Sequence, residues 1–280
     1  MDRFREICVR LLLLPNILCL DAPVVALVWM HAIANRLSVT LSDRAYWLMS
    51  LAVWVIYFAD RWLDQSRRQL EETERHAVHS GFNRSAKVVV AIVLMVLFKD
   101  ALVELNSIAW MGGSVLVILT VGYFYCVHDL GESFPKALPK ELWVGIVFAA
   151  GCALVPWSLE DGNAQSLPLV VICLGWLFFL NCAAITRWEN LEADRTREAS
   201  LLNTWPIFLS RLGLTCLLSA AFFVIVGLVD QASFSLYLSM AMAAVMLGAL
   251  EQLQVQLGKR VLRVAADAVL LTPLLFVFFD

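Results

Sequence analysis

The chain is 280 residues long, 61% hydrophobic and only 16% charged, with a mean hydropathy of +0.77. A soluble domain of this size carries about 45–50% apolar and about 25% charged residues, so the surplus apolar surface must face lipid rather than water. The net charge of −3 is too small to argue for a nucleic-acid partner. The seven cysteines (Cys8, Cys19, Cys126, Cys152, Cys173, Cys182 and Cys216) form no CxxC pair and no Cys/His set at zinc spacing, and read as small buried hydrophobes.

Residues Met1 to Leu20 join basic residues to an apolar stretch broken by Pro15 and Asn16, with Asp21 following. Without a small-residue cleavage site, this is an interfacial lead-in rather than a removed signal peptide. Nine segments then approach the roughly 20 apolar residues a spanning helix needs: Leu20–Ala34, Ala45–Leu63, Ala86–Leu105, Ile108–Val127, Leu142–Trp157, Leu167–Trp188, Trp205–Val229, Phe234–Leu253 and Val261–Phe279. Pro23 falls in a first helical turn, where its missing N–H costs little. The longest loop, Asp64 to Ser85, is polar, and its Glu71, Glu72, Glu74 and Arg75 could form a short helix or simply be solvated. The expected fold is all-α, a single transmembrane helical domain over residues 1–280.

Cations sort the loops. With the N-terminus inside, one side carries Arg3, Arg5 and Arg10, then Arg61, Arg67, Arg68, Arg75, Arg84 and Lys87. It continues with Lys136, Lys140, Arg187, Arg195, Arg197, Lys259, Arg260 and Arg263. The other side has only Arg36, Arg44 and Lys99, with Arg211 inside the seventh segment. This asymmetry predicts a multi-pass protein with a cytoplasmic N-terminus and an extracytoplasmic C-terminus.

Two acidic stripes fall on the cytoplasmic side. Asp60 and Asp64, four apart at the end of the second segment, share one helical face at about 5–6 Å between Cβ atoms. Paired carboxylates suit a hard divalent cation, and Mg²⁺ commonly combines one or two of them with substrate phosphates; the alternative is a wet helix end with Asp60 paired to Arg61 or Arg67. At the end of the sixth segment, Asn190, Asp194 and Glu198 recur at i, i+4 and i+8. Ionisable groups at membrane depth mark functional sites, and two oxygen-rich stripes ringed by cations suit a phosphorylated ligand held through Mg²⁺. Elsewhere, Asp267 is expected to pair with Arg263, His76 and His79 to be surface histidines, and Gly112, Gly113 and Gly145 to mark close helix contacts.

Tyr57-Phe58-Ala59-Asp60 followed by Asp64, and Glu189-Asn190-Leu191-Glu192-Ala193-Asp194-Arg195, resemble the two aspartate-rich motifs of the UbiA superfamily of intramembrane prenyltransferases. The resemblance covers length, span count and motif placement. It departs where the first motif's leading Asn-Asp reads Ile56-Tyr57, where the second motif's first Asp reads Asn190, and where its extension reads Glu198. Lys136 and Lys140 follow the fourth segment, where the family carries basic residues, and Arg75 is the nearest match to its first-loop arginine.

The resemblance implies a nine-helix bundle that moves a prenyl group from a prenyl diphosphate donor to a lipophilic acceptor within the lipid bilayer. Asp60, Asp64 and Asp194 are then catalytic. Asp60, Asp64, Asn190, Asp194 and Glu198 are the Mg²⁺ ligands, and Arg75, Lys136, Lys140 and Arg187 bind the diphosphate. An aromatic cavity of Trp54, Tyr57, Phe124, Tyr125, Phe178 and Phe179 is expected to shield the allylic cation. The competing reading is a catalytically impaired relative that binds a polyprenyl phosphate lipid or a protein partner. A transporter is disfavoured because transporter sites sit near the bilayer midplane.

Overall fold

The computed structural model describes residues 19–70, 76–130, 139–160, 166–190 and 205–276. The chain is all-helical, with no strand among the described residues. In chain order the helices are α1 (Asp21–Arg36), α2 (Asp43–Leu70), α3 (His76–Glu104), α4 (Ser107–Phe124), α5 (Lys140–Ser158), α6 (Leu167–Asn190), α7 (Pro206–Ser210), α8 (Leu212–Val229), α9 (Phe234–Gln252) and α10 (Lys259–Val269). A π-helical turn, Tyr125–Leu130, extends α4, and 3₁₀ turns at Gln231–Ser233 and Thr272–Leu275 precede α9 and follow α10.

Among the described residues, five helical stretches are long and apolar enough to cross a membrane: Ser107–Val127, Lys140–Ser158, Leu167–Trp188, Leu212–Val229 and Gln231–Gln252. The protein is therefore a multi-pass helical membrane protein. All nine predicted segments contain helix, but two are interrupted. The seventh was expected to run unbroken through Arg211; instead Arg211 leaves helical geometry (φ −114°, ψ 24°) between α7 and α8. A guanidinium inside a spanning helix is expensive, and the break puts Arg211 at an exposed helix end. The ninth stops at Val269, because Pro273 cannot extend a helix. Its terminal carbonyls find partners instead: Asn181 donates to Ala266 O (2.8 Å) and Trp29 Nε1 to Leu270 O (2.9 Å).

Helix α6 is the hub, packing against α5, α8, α9 and α10, with Leu174, Leu177, Phe179, Leu180 and Ala183 fully buried. The sequence permits this through small residues, which let backbones approach where lipid supplies no hydrophobic drive between helices. A Cβ on Gly145 of α5 would stand 2.5 Å from Gly175 O and 2.7 Å from Phe179 N of α6. Gly145 is thus the close helix contact expected of it. Gly112 serves α4 similarly, facing the Leu154 side chain of α5. Helices α8 and α9 run antiparallel, with Gly227 under Tyr237 and Gly248 against Cys216. Cys19, Cys152, Cys173 and Cys216 are buried and free, as expected of small hydrophobes. Helices α3 and α4 turn Met95, Phe98, Met111 and Ile118 outward.

Candidate functional site

Polar side chains gather at one end of the bundle, where α2, α4, α6 and α9 finish and α1, α5 and α10 begin. On α2, Arg61 folds back one turn: it donates to the Tyr57 hydroxyl (3.1 Å), and its guanidinium lies 4.7 Å from the centroid of that ring. The i, i+4 spacing makes this contact local. Tyr57, standing where the resembled motif has a carboxylate, thereby holds a cation.

Asp60 is half-buried and accepts a hydrogen bond from the Tyr123 hydroxyl of α4 at 3.4 Å, near the limit of such a bond. Asp64 follows one turn later on the same continuous helix.

Lys140 opens α5, and Glu141 in that first turn is well placed for the positive end of the helix dipole. The Glu141 side chain is only 3% exposed, and Thr186 near the end of α6 donates to it at 3.1 Å. Buried charge demands such a partner. Helix α6 packs on α5 and α10, and α2 touches α5, so the ends of these four helices share one polar region. Asn190 is the last residue of α6.

Arg187 is drawn to the other flank of α6. Its Nε lies 2.6 Å from Glu251 Oε1 of α9, and its guanidinium also donates to Leu209 O. The second oxygen of Glu251 accepts from Trp188 Nε1 at 2.7 Å. This partly buried network ties α6, α7 and α9 together and neutralises the Arg187 charge. On α10, Asp267 lies within electrostatic reach of Asp21 of α1, of Arg263, the expected neighbour, and of Arg61 of α2.

The expected aromatic cavity is dispersed. Phe178 packs edge-on against Trp29 and Phe148, whereas its neighbour Phe179 turns to Trp176, Trp205 and Phe208 on the opposite face. Tyr125 is 55% exposed, and Trp54 stacks on Phe58 of its own helix. Adjacent residues on a helix diverge by about 100° (3.6 per turn), so Phe178 and Phe179 could not line one wall together.

Arg75, Lys136, Asp194 and Glu198 lie outside the described residues. Among the described residues, no three His, Cys, Asp or Glu side chains stand together as a ready metal site. Sequence reasoning missed Glu141, Glu251 and Tyr123, and treated Asp21 only as a blurred span boundary. The two glutamates had a legible signal, since each is an acid at the edge of an apolar run, where a partner is obligatory. Tyr123 had none, because an aromatic at a helix end is ordinary in a membrane protein.

The opposite end is tied by an arginine and an asparagine that reach hydroxyls and backbone. Arg36 donates to Ser233 Oγ (2.9 Å) and Ser166 Oγ (3.1 Å). Asn106 caps α4 at Ala109 N (2.8 Å) and reaches Ser158 O (2.6 Å). Comparison of the chain with protein-family models, curated proteins and solved structures finds no match to any of them.

Proposed function

We propose that this protein is an intramembrane prenyltransferase of the UbiA type, with nine spans, a cytoplasmic N-terminus and its site at the charged end. The observation that carries the reading is that α2 and α6 bring oxygen-bearing residues to the same end of the bundle. Asp60 and Asp64 stand one turn apart in the second half of α2, α6 finishes in Asn190 at the same end, and both helices pack on α5. Oxygen donors of this kind fit a hard cation.

Asp60 with Asp64 would hold one Mg²⁺, and Asp194 with Asn190 or Glu198 a second. Mg²⁺, when bound, supplies charge neutralisation to a departing diphosphate. Lys140, at the mouth of α5, and Arg75 and Lys136 orient the diphosphate and stabilise the leaving anion. Arg187, already paired with Glu251, contributes chiefly by fixing the end of α6. Tyr123 steadies the Asp60 carboxylate through its hydroxyl.

One observation favours a second reading, a lipid-binding relative without turnover: Tyr57 engages Arg61 where the resembled motif supplies a carboxylate. Donor binding tests the shared part of both. Purified protein should bind a non-hydrolysable prenyl diphosphate analogue only with Mg²⁺, and Asp60→Ala and Asp194→Ala should each weaken it at least about tenfold, the loss of one charge-assisted contact. Mg²⁺-independent binding indifferent to both substitutions removes the proposal.

A further inference from the structure

Asp60 and Arg61 are neighbours on α2, and their side chains leave the helix about 100° apart. Asp60 meets the Tyr123 hydroxyl of α4 (3.4 Å). Arg61 lies on Tyr57, donating to its hydroxyl (3.1 Å) and covering its ring. A carboxylate and a guanidinium adjacent in sequence therefore reach different neighbours.

Around Tyr57 the start of α1 and the body of α10 come together. Tyr57, Cys19 and Asp267 each lie within electrostatic reach of Asp21 of α1, Arg61 of α2 and Arg263 of α10, and α1 packs on both α2 and α10. Two carboxylates and two guanidiniums thus balance one another where three helices meet. Asp267 Oδ2 is buried and accepts no hydrogen bond among the described residues, so the compensation its charge requires comes from the guanidiniums. Arg61 belongs both to this cluster and to the helical turn that carries Asp60.

We infer that Asp267 and Asp21 are positioning residues for the proposed cation site: their charge holds the Arg61 guanidinium on the α1–α10 side of α2, which reserves the Asp60 carboxylate for a divalent cation. An arginine released from that cluster can swing to the adjacent carboxylate, where its fixed charge opposes that of the cation. The inference rests on the reading of Asp60 and Asp64 as cation ligands, and extends it to two carboxylates outside both acidic stripes.

Binding of Mn²⁺ alone to the full-length protein in mild detergent, read by electron paramagnetic resonance, tests it. Asp60→Ala should weaken binding at least about tenfold, which identifies the site being read. Asp267→Asn should weaken it about tenfold in the wild-type background, but less than about twofold when Arg61→Gln is also present, because the competing cation is then gone. Asp267→Glu, which restores the carboxylate, should bind Mn²⁺ like the wild type. The same dependence on Arg61 is expected of Asp21→Asn, which carries the test if Asp267→Asn is not monodisperse on size exclusion. A carboxylate that acted only through long-range charge or through stability would cost as much without Arg61 as with it. That result overturns the inference and leaves the cation site standing. Mn²⁺ binding that is absent, or indifferent to Asp60→Ala, removes the cation-site reading and the inference with it.

Discussion

Helices α4 and α6 look alike in the sequence and behave oppositely in the fold. Both are apolar and of spanning length, yet only 6% of the apolar stretch of α4 is buried against 61% of that of α6. The difference lies in where their polar atoms go. On α4, Ser114 and Thr120 each donate at 2.8 Å to a carbonyl four residues back, Trp110 O and Leu116 O. On α6, Asn181 reaches α10, Thr186 reaches α5 and Trp176 Nε1 reaches Ser219 of α8 at 2.9 Å. A helix that satisfies its own polar groups can face lipid, whereas one whose polar groups need other helices becomes a hub. Hydropathy sorts helices into the membrane, and polar and small residues arrange them within it.

Substitutions in the two helices and their neighbours should separate on this basis. The largest effect is expected for Glu251→Ala, which removes both the carboxylate paired with half-buried Arg187 and the acceptor of Trp188 Nε1 and should cost about 3 kcal/mol, read as the midpoint of SDS-induced unfolding in mixed micelles. Glu251→Gln, which keeps an acceptor for Trp188, should recover part of that loss. Gly145→Ala comes next: its Cβ meets backbone that cannot yield, for a cost of about 1–3 kcal/mol in the same assay. Asn181→Ala removes one interhelical hydrogen bond, worth about 0.6–2 kcal/mol in a membrane. It should also speed hydrogen exchange at the end of α10, where the Ala266 carbonyl loses its partner. Least of all, Ile118→Val on the exposed face of α4 should stay within about 0.5 kcal/mol of wild type. If Ile118→Val costs as much as Asn181→Ala, the contrast between lipid-facing and hub helices is wrong.

Much of the architecture was legible beforehand. The five membrane-length helices match predicted segments to within about three residues, save that the one in the seventh segment starts at Leu212 rather than Trp205, and Gly145 was identified as a contact because a glycine within an apolar helix usually marks a close approach. The breaks at Arg211 and before Pro273 were not foreseen, although both residues were visible. Hydropathy averaged over a window cannot register one charge or one missing N–H, while the backbone must. The partner of Arg187 was equally hidden. Glu251 is 64 residues further along the chain, and only the packing of α6 on α9 joins them. The acidic stripe on α2 was readable from its spacing alone, because a helical face is a local property. Whether α2 and α6 ended on one side of the bundle depended on counting spans, which no local spacing reveals.

The proposed chemistry stands or falls on diphosphate release. Purified protein in lipid nanodiscs would be offered a panel of prenyl diphosphates of increasing chain length with a lipophilic phenolic acceptor, and released diphosphate measured with and without Mg²⁺. The account predicts release that requires Mg²⁺, depends on donor chain length, and falls by at least about a hundredfold in Asp60→Ala, on the order of 2.7 kcal/mol of lost transition-state stabilisation. Lys99→Gln should release diphosphate at the wild-type rate. No release from any donor, or release unchanged in Asp60→Ala, would contradict it.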